Sequence, residues 1–118
     1  MTTQELLGQV VATAANTYRW TDHGPISTEI AGALLSHSIY LPKLRRFETA
    51  VSGLEAVSIK DMQTFETFRR EGIEVWILVP LASIGKAHKH LRDYADRIQS
   101  WWLDDTSQKI KFGTAETP

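Results

Sequence analysis

Residues Ile73 to Leu91 read IEVWILVPLASIGKAHKHL, and the fold turns on this stretch. Val75-Trp76-Ile77-Leu78-Val79 is an apolar run too short for most helices and rich in β-branched side chains. A strand buried on both faces reads this way. Pro80 cannot donate to a sheet ladder, so it ends the strand. A short loop follows, and a helix is predicted from Ser83. Strand, turn and helix make half of a βαβ unit. Open α/β folds place ligands in the loop after such a strand.

The neighbouring segments extend this frame in both directions. Upstream, Asp61 is predicted to cap a helix running to about Glu71, with Met62, Phe65 and Phe68 facing inward. Gly72 supplies the left-handed residue that stops it, and Ile73 packs back over the end. Ala56-Val57-Ser58-Ile59 alternates like a brief strand. Downstream, Ile84, His88, Leu91, Ala95, Ile98 and Trp102 alternate steps of four and three, which predicts one helix from Ser83 to Trp102. Leu103 to Ser107 is a polar loop. Lys109-Ile110-Lys111-Phe112-Gly113 alternates and reads as a half-exposed strand.

The amino-terminal half reads as helical. Leu6, Leu7, Val10, Val11, Ala14 and Tyr18 predict a helix over Thr3 to Tyr18. Trp20 to Pro25 has turn chemistry. Ser27 is placed to cap a second helix with Ile30, Leu34 and Leu41 on its stripe. Pro42 breaks it, and Leu44, Phe47, Val51 and Leu54 mark a third. The expected organisation is one domain: 1–55 mainly helical, 56–113 α/β, and 114–118 a loose tail. The expected fold class is α/β. A helical amino-terminal half packs on a small, mainly parallel sheet of about three strands, with β-α-β-α-β order in the carboxyl-terminal half.

Composition narrows the function classes. The 118 residues are 42% apolar and 23% charged, as in an ordinary globular chain. Net charge is −1, without the basic excess of a dedicated nucleic-acid binder. Cysteine is absent, which removes disulfides, thiol catalysis and cysteine metal sites, and favours a reducing cytoplasm. Residues 1–18 lack the basic start of a signal peptide. No apolar run approaches the ~20 residues needed to span a bilayer.

Several constellations could carry chemistry. Pro80 to Lys86 has Gly85-Lys86 between a strand and a helix, as in a phosphate loop. Its first glycine is replaced by Pro80 and its hydroxyl by Ala87, so a nucleotide triphosphatase is rejected. An anion could still be held by Ser83, Gly85, Lys86 and His90 at a helix start. The plainer reading makes Ser83 a cap and Lys86 a solvated cation. His88 and His90, two apart, point in different directions on a helix and form no ligand pair. His37 and His88 read as semi-buried. Asp22-His23 is raw material for catalysis or metal binding, although turn formation explains it. Asp104-Asp105 resembles a magnesium-binding pair, although a solvated turn explains it better. Residues 29–48 have some helix-turn-helix rhythm, with Lys43, Arg45 and Arg46 facing DNA. The missing turn glycine and Pro42 argue against it. Ala87, Tyr94 and Trp101, seven apart on the predicted helix, form a second apolar edge that packs on the amino-terminal helices or, as the rival reading, meets a protein partner or a second copy.

The sequence therefore points to a small cytoplasmic module that binds a protein or a small anion. It calls for no cofactor and no metal. Nucleic acid and membrane are not expected partners. The rival readings are a DNA-binding regulator using 29–48 and an enzyme acting on an anion at 80–86.

Overall fold

The computed structural model describes residues 1–20, 29–30, 33–34 and 37–118. An amino-terminal helix, α1 (Thr3–Trp20), precedes two short antiparallel strands, β1 (Glu29–Ile30) and β2 (Ala33–Leu34). A five-stranded sheet follows: β3 (Ser38–Leu41), β4 (Arg46–Ala50), β5 (Glu74–Pro80), β6 (Arg97–Leu103) and β7 (Ile110–Phe112). Strand order in space equals order in the chain. The central pairings, β4 with β5 and β5 with β6, are parallel; the flanking pairings are antiparallel. Helix α2 (Ile59–Arg70) joins β4 to β5, and α3 (Ile84–His90) joins β5 to β6. The α/β class is as expected. The sheet has five strands rather than about three, and it is mixed rather than mainly parallel.

Helices cover both faces of the sheet. Phe65 and Phe68 of α2 and Ala87 of α3 share a core with Phe47, Val75, Ile77, Val79 and Ile98. The Phe47 ring lies 5.0 Å from that of Phe68 and 6.2 Å from that of Phe65, both tilted, within the favoured range for aromatic pairs. On the opposite face, Leu7, Val10 and Ala14 of α1 pack on Ile39, Ala50, Leu78, Trp101 and Ile110. Strand β5 is therefore buried from both sides, as its apolar run predicts.

Local signals explain the stop between α2 and β5. Ser58 accepts from the Asp61 N–H, and Asp61 accepts from the Ser58 N–H, a reciprocal capping box. Ser58, not Asp61, is thus the cap residue. At the other end Gly72 adopts φ 82°. The Gly72 N–H donates to Arg69 O and the Ile73 N–H to Phe68 O, so a left-handed glycine satisfies two terminal carbonyls at once.

Three helical expectations fail in whole or in part. Helices expected over 27–41 and 43–54 give way, among the described residues, to β3 and β4, joined by a 3-10 turn over Pro42–Leu44. Pro42 begins that turn and Arg45 closes it in left-handed geometry, φ 49°. Ile39 and Tyr40 pair with Glu48 and Phe47 in an antiparallel hairpin. The expected helix from Ser83 to Trp102 ends at His90, and 97–103 is strand β6. Arg97-Ile98-Gln99-Ser100-Trp101-Trp102-Leu103 alternates as well as it fits a helix, and pairing with β5 decides for the strand. Ala56 to Ile59 is not a strand; a 3-10 turn over Leu54–Ala56 leads into α2.

Residues 114–118 are not loose. Ile98 and Glu116 exchange both main-chain hydrogen bonds, at 2.8 and 2.7 Å. Among the described residues, no helix is long and apolar enough to cross a membrane.

Candidate functional site

The carboxyl ends of parallel strands leave a crevice where the chain turns out to the flanking helices. Here it opens beyond β4. A crevice of about 430 Å³ is lined by Thr3, Gln4 and Leu7 of α1, by Thr49 to Ser52, and by Ala56, Val57, Asp61 and Phe65. Two helix amino termini meet there. That of α1 is capped by the Thr2 hydroxyl, which accepts from the Glu5 N–H at 3.1 Å. That of α2 is closed by its capping box. The Val51 N–H donates to Leu78 O at 3.0 Å, tying the floor to β5. Beside the crevice, His37 Nε2 meets Gln4 Oε1, and the His37 carbonyl accepts from the Ala50 N–H. His37 is half-buried, as expected, and has φ 57°.

The lining mixes hydroxyls and an amide with an apolar floor of Leu7, Ala50, Val51 and Phe65. Asp61 is engaged by the Ser58 N–H. Large apolar side chains also stand in solvent at this end. Ile59 of α2 is 77% exposed, and Leu81, just past β5, is 51% exposed.

The predicted anion loop is built differently. Leu81–Ser83 forms a 3-10 turn, and the Ile84 N–H already donates to Leu81 O. Ser83 makes no capping hydrogen bond, and α3 is seven residues long. A Cβ at Gly85 would meet no atom within 4 Å, so this glycine marks no close approach. Lys86 and His90 are exposed. Gly85, Lys86 and His90 therefore share a short helix with Ser83 in the 3-10 turn before it, and the Ile84 N–H at that junction is already paired.

The predicted interface edge is dispersed. Ala87 is fully buried in the α2/α3 core, Tyr94 packs partly against that core, and Trp101 is buried on the opposite, α1 face. Their common edge existed only on the longer helix. His88 meets Glu116 Oε1 at 2.9 Å.

The three basic residues of 29–48 also separate. Lys43 is exposed on the 3-10 turn. The Arg45 guanidinium donates to Glu71 O at 2.8 Å and to Gly72 O at 3.5 Å, covering the negative end of α2. Arg46 lies 4.1 Å above the Trp76 ring and contacts Glu48 at 3.8 Å and Glu74 at 3.4 Å. No α-helix occurs among the described residues of 29–48, so helix-turn-helix geometry is absent there. A wider depression of about 510 Å³ at the amino end of β5 is lined by Glu66, Arg69, Arg70, Glu74 and Asp96. Its cations pair with its own acids, Arg70 with Glu66 and Arg69 with Asp96.

Asp104 and Asp105 lie in the turn between β6 and β7. The Ser107 hydroxyl donates to Asp104 Oδ2 at 2.7 Å, and the Thr106 and Ser107 N–H groups approach its carboxylate at 3.4 Å. The Ser107 hydroxyl is the largest influence and, with those N–H groups and the Lys111 charge, holds the Asp104 carboxyl below its ordinary range; desolvation, the second largest, opposes it. Among the described residues, no group of three or more His, Asp or Glu could hold a metal. Asp22-His23 lies outside the described residues.

Sequence reasoning missed Thr49 and Ser52 because it assigned 43–54 to a helix, and Val57 because it assigned 56–59 to a strand. The available signal was a weaker form of the grammar of 73–91: Phe47, Ala50 and Val51 around Glu48-Thr49, a Ser52-Gly53 break, and a capping Ser58. No family model, curated protein or solved structure matches this chain.

Proposed function

We propose that the protein acts by binding a small molecule rather than by catalysis, with the ligand in the crevice beyond β4. The observation carrying this reading is the crevice itself. It sits where parallel α/β sheets hold ligands, between two helix amino termini, over an apolar floor with Thr3, Gln4 and Ser52 at its walls. Such a lining suits a compact molecule with one apolar side and a few hydrogen-bonding groups. The positive end of α1 favours a weakly anionic group, while the Asp61 carboxylate at the end of α2 opposes a strongly charged one. This moves the anion expected at Ser83 to Lys86 across the end of the sheet. The absence of cysteine fits a cytoplasmic setting.

The test is a screen of small polar and anionic compounds by ¹⁵N amide shifts, repeated on Ser52→Trp. Ser52 is exposed, so the new indole should fill the crevice and change stability by less than about 0.5 kcal/mol. Shifts should gather at Gln4, Ser52 and Asp61 and disappear in the variant. Shifts confined to Leu81 to Lys86, or binding indifferent to Ser52→Trp, would refute the assignment.

A further inference from the structure

Strand β6 is paired along one edge by β5, from Arg97 to Trp101. On its other edge β7 reaches only from Trp101 to Leu103. The amino-terminal part of β6 would be an open strand edge, and such edges invite a further strand. Residues 113–117 lie along it. The Gly113 N–H donates to Ser100 O at 3.0 Å. Ile98 then pairs with Glu116, where the register of β7 would have brought Ala115. One extra residue has entered, which makes a bulge. The Gln99 side-chain amide donates to Gly113 O at 2.8 Å beside the bulge.

Beyond the bulge the contacts are polar. Ile98 and Glu116 exchange two main-chain hydrogen bonds. The Glu116 carboxylate meets His88 of α3 at 2.9 Å, and the Thr117 hydroxyl accepts from Arg97 at 2.9 Å. Glu116 and Thr117 thus use opposite sides of the strand, as alternation requires. By contrast, Ile110 on β7 belongs to the α1-side core.

We propose that the groove between α3 and the amino-terminal part of β6 is a strand-addition site for an extended acidic peptide of another molecule, occupied here by residues 114–118 as an internal ligand. Main-chain pairing to Ile98 supplies affinity, and side-chain positions supply selectivity. His88 selects a carboxylate on one side and Arg97 a hydroxyl on the other. The bulge is the point from which the internal strand detaches. An outside peptide competes with an internal one at an effective concentration of order millimolar.

The experiment uses the full chain with Glu116→Pro, which removes both the N–H that pairs with Ile98 and the carboxylate that meets His88. A synthetic peptide copying residues 112–117 is titrated while the Ile98 amide and the His88 ring are followed by NMR. Saturable shifts at both are expected, at least fivefold weaker in the unmodified chain and with a peptide carrying Lys at the Glu position. Absence of shifts at Ile98 and His88, or equal response to the two peptides, overturns the proposal. Dimerisation of the variant through the bared edge also overturns it, by making a second copy the occupant. Should the variant not fold, hydrogen exchange on the unmodified chain decides. The Glu116 amide is expected to exchange at least tenfold faster than that of Ile77. Exchange as slow as Ile77 would make 114–118 a permanent strand and end the idea.

Discussion

On the α2/α3 face of the sheet, Phe47, Val75, Ile77, Val79 and Ile98 present only apolar groups, and two helices close over them. On the α1 face, Ala50, Leu78 and Trp101 are covered by a single helix, while Arg46, Glu48, Glu74 and Trp76 gather at the amino ends of β4 and β5. Both faces exclude water, but by different means. Glu48 is 1% exposed and adjoins a guanidinium stacked on an indole. A buried carboxylate is tolerated only when its charge is met. The first face is therefore held mainly by non-directional burial, with the buried Ser38–Thr49 hydroxyl pair towards its β3 edge, and the other in larger part by directed contacts. The first should respond to lost volume and the second to lost partners.

Four changes probe that contrast, beginning with the largest expected effect. Phe68→Ala empties space beside Phe47 in the apolar face and should cost about 3–5 kcal/mol in urea unfolding. A loss below about 1 kcal/mol would mean that the core collapses into the hole. Arg46→Ala removes the stacking on Trp76 and two ionic contacts from the other face. About 1–3 kcal/mol is expected, with a loss of Trp76 fluorescence quenching by the adjacent cation. If Arg46→Met proves as costly as Arg46→Ala, stacking and charge rather than bulk hold the residue.

Gly72→Ala tests the junction that both faces share. A Cβ at φ 82° is strained, and about 1–2 kcal/mol should be lost without any change in buried area. Equal stability would show that the left-handed turn can relax. Smallest is Ser107→Ala, far from either face. Asp104 has a folded pKa below its unfolded value. Its contribution is therefore present above the ordinary carboxylate range and lost as pH falls through the folded value. Removing the Ser107 hydroxyl should move the Asp104 titration midpoint upward in NMR, with unfolding near neutral pH almost unchanged. An unmoved midpoint would assign the depression to the backbone N–H groups instead.

Legibility in the sequence followed the number of independent signals at each place. Around Phe65 to Val79 a helical stripe, a stop glycine and a β-branched run agreed, and α2 and β5 formed as predicted. Leu7, Val10 and Ala14 likewise gave α1. Over Ile84 to Trp102 only periodicity spoke, and it was true as far as Leu91. Ile98 and Trp102 fit the same stripe by coincidence, since a strand offers Ile98 to that core with no help from helical phase. Around Ile39 to Val51 the helical spacing of Leu34, Leu41, Leu44, Phe47 and Val51 masks the β-formers Ile39, Tyr40 and Thr49, and pairing with β5 reverses the balance. The site was lost with that segment: Thr49 and Ser52 become neighbours of Thr3 and Asp61 only once β4 exists.

Strand order carries a consequence for assembly. Because each of β3 to β7 lies beside its sequence neighbour, no strand must be threaded between two already placed. The sheet can grow by successive addition at one edge as the chain leaves the ribosome. Helix α1 is the exception. Emerging before the strands, it packs against residues drawn from each of β3 to β7, from Ile39 to Ile110, so its seat is finished last. A segment made before the sheet is docked after it, and through that interval Leu7, Val10 and Ala14 travel uncovered. Pulse-labelled exchange during refolding should find α1 amides protected after those of β5 and β6. The reverse order would mean that α1 settles on a partial sheet and that its apolar stripe is never left waiting.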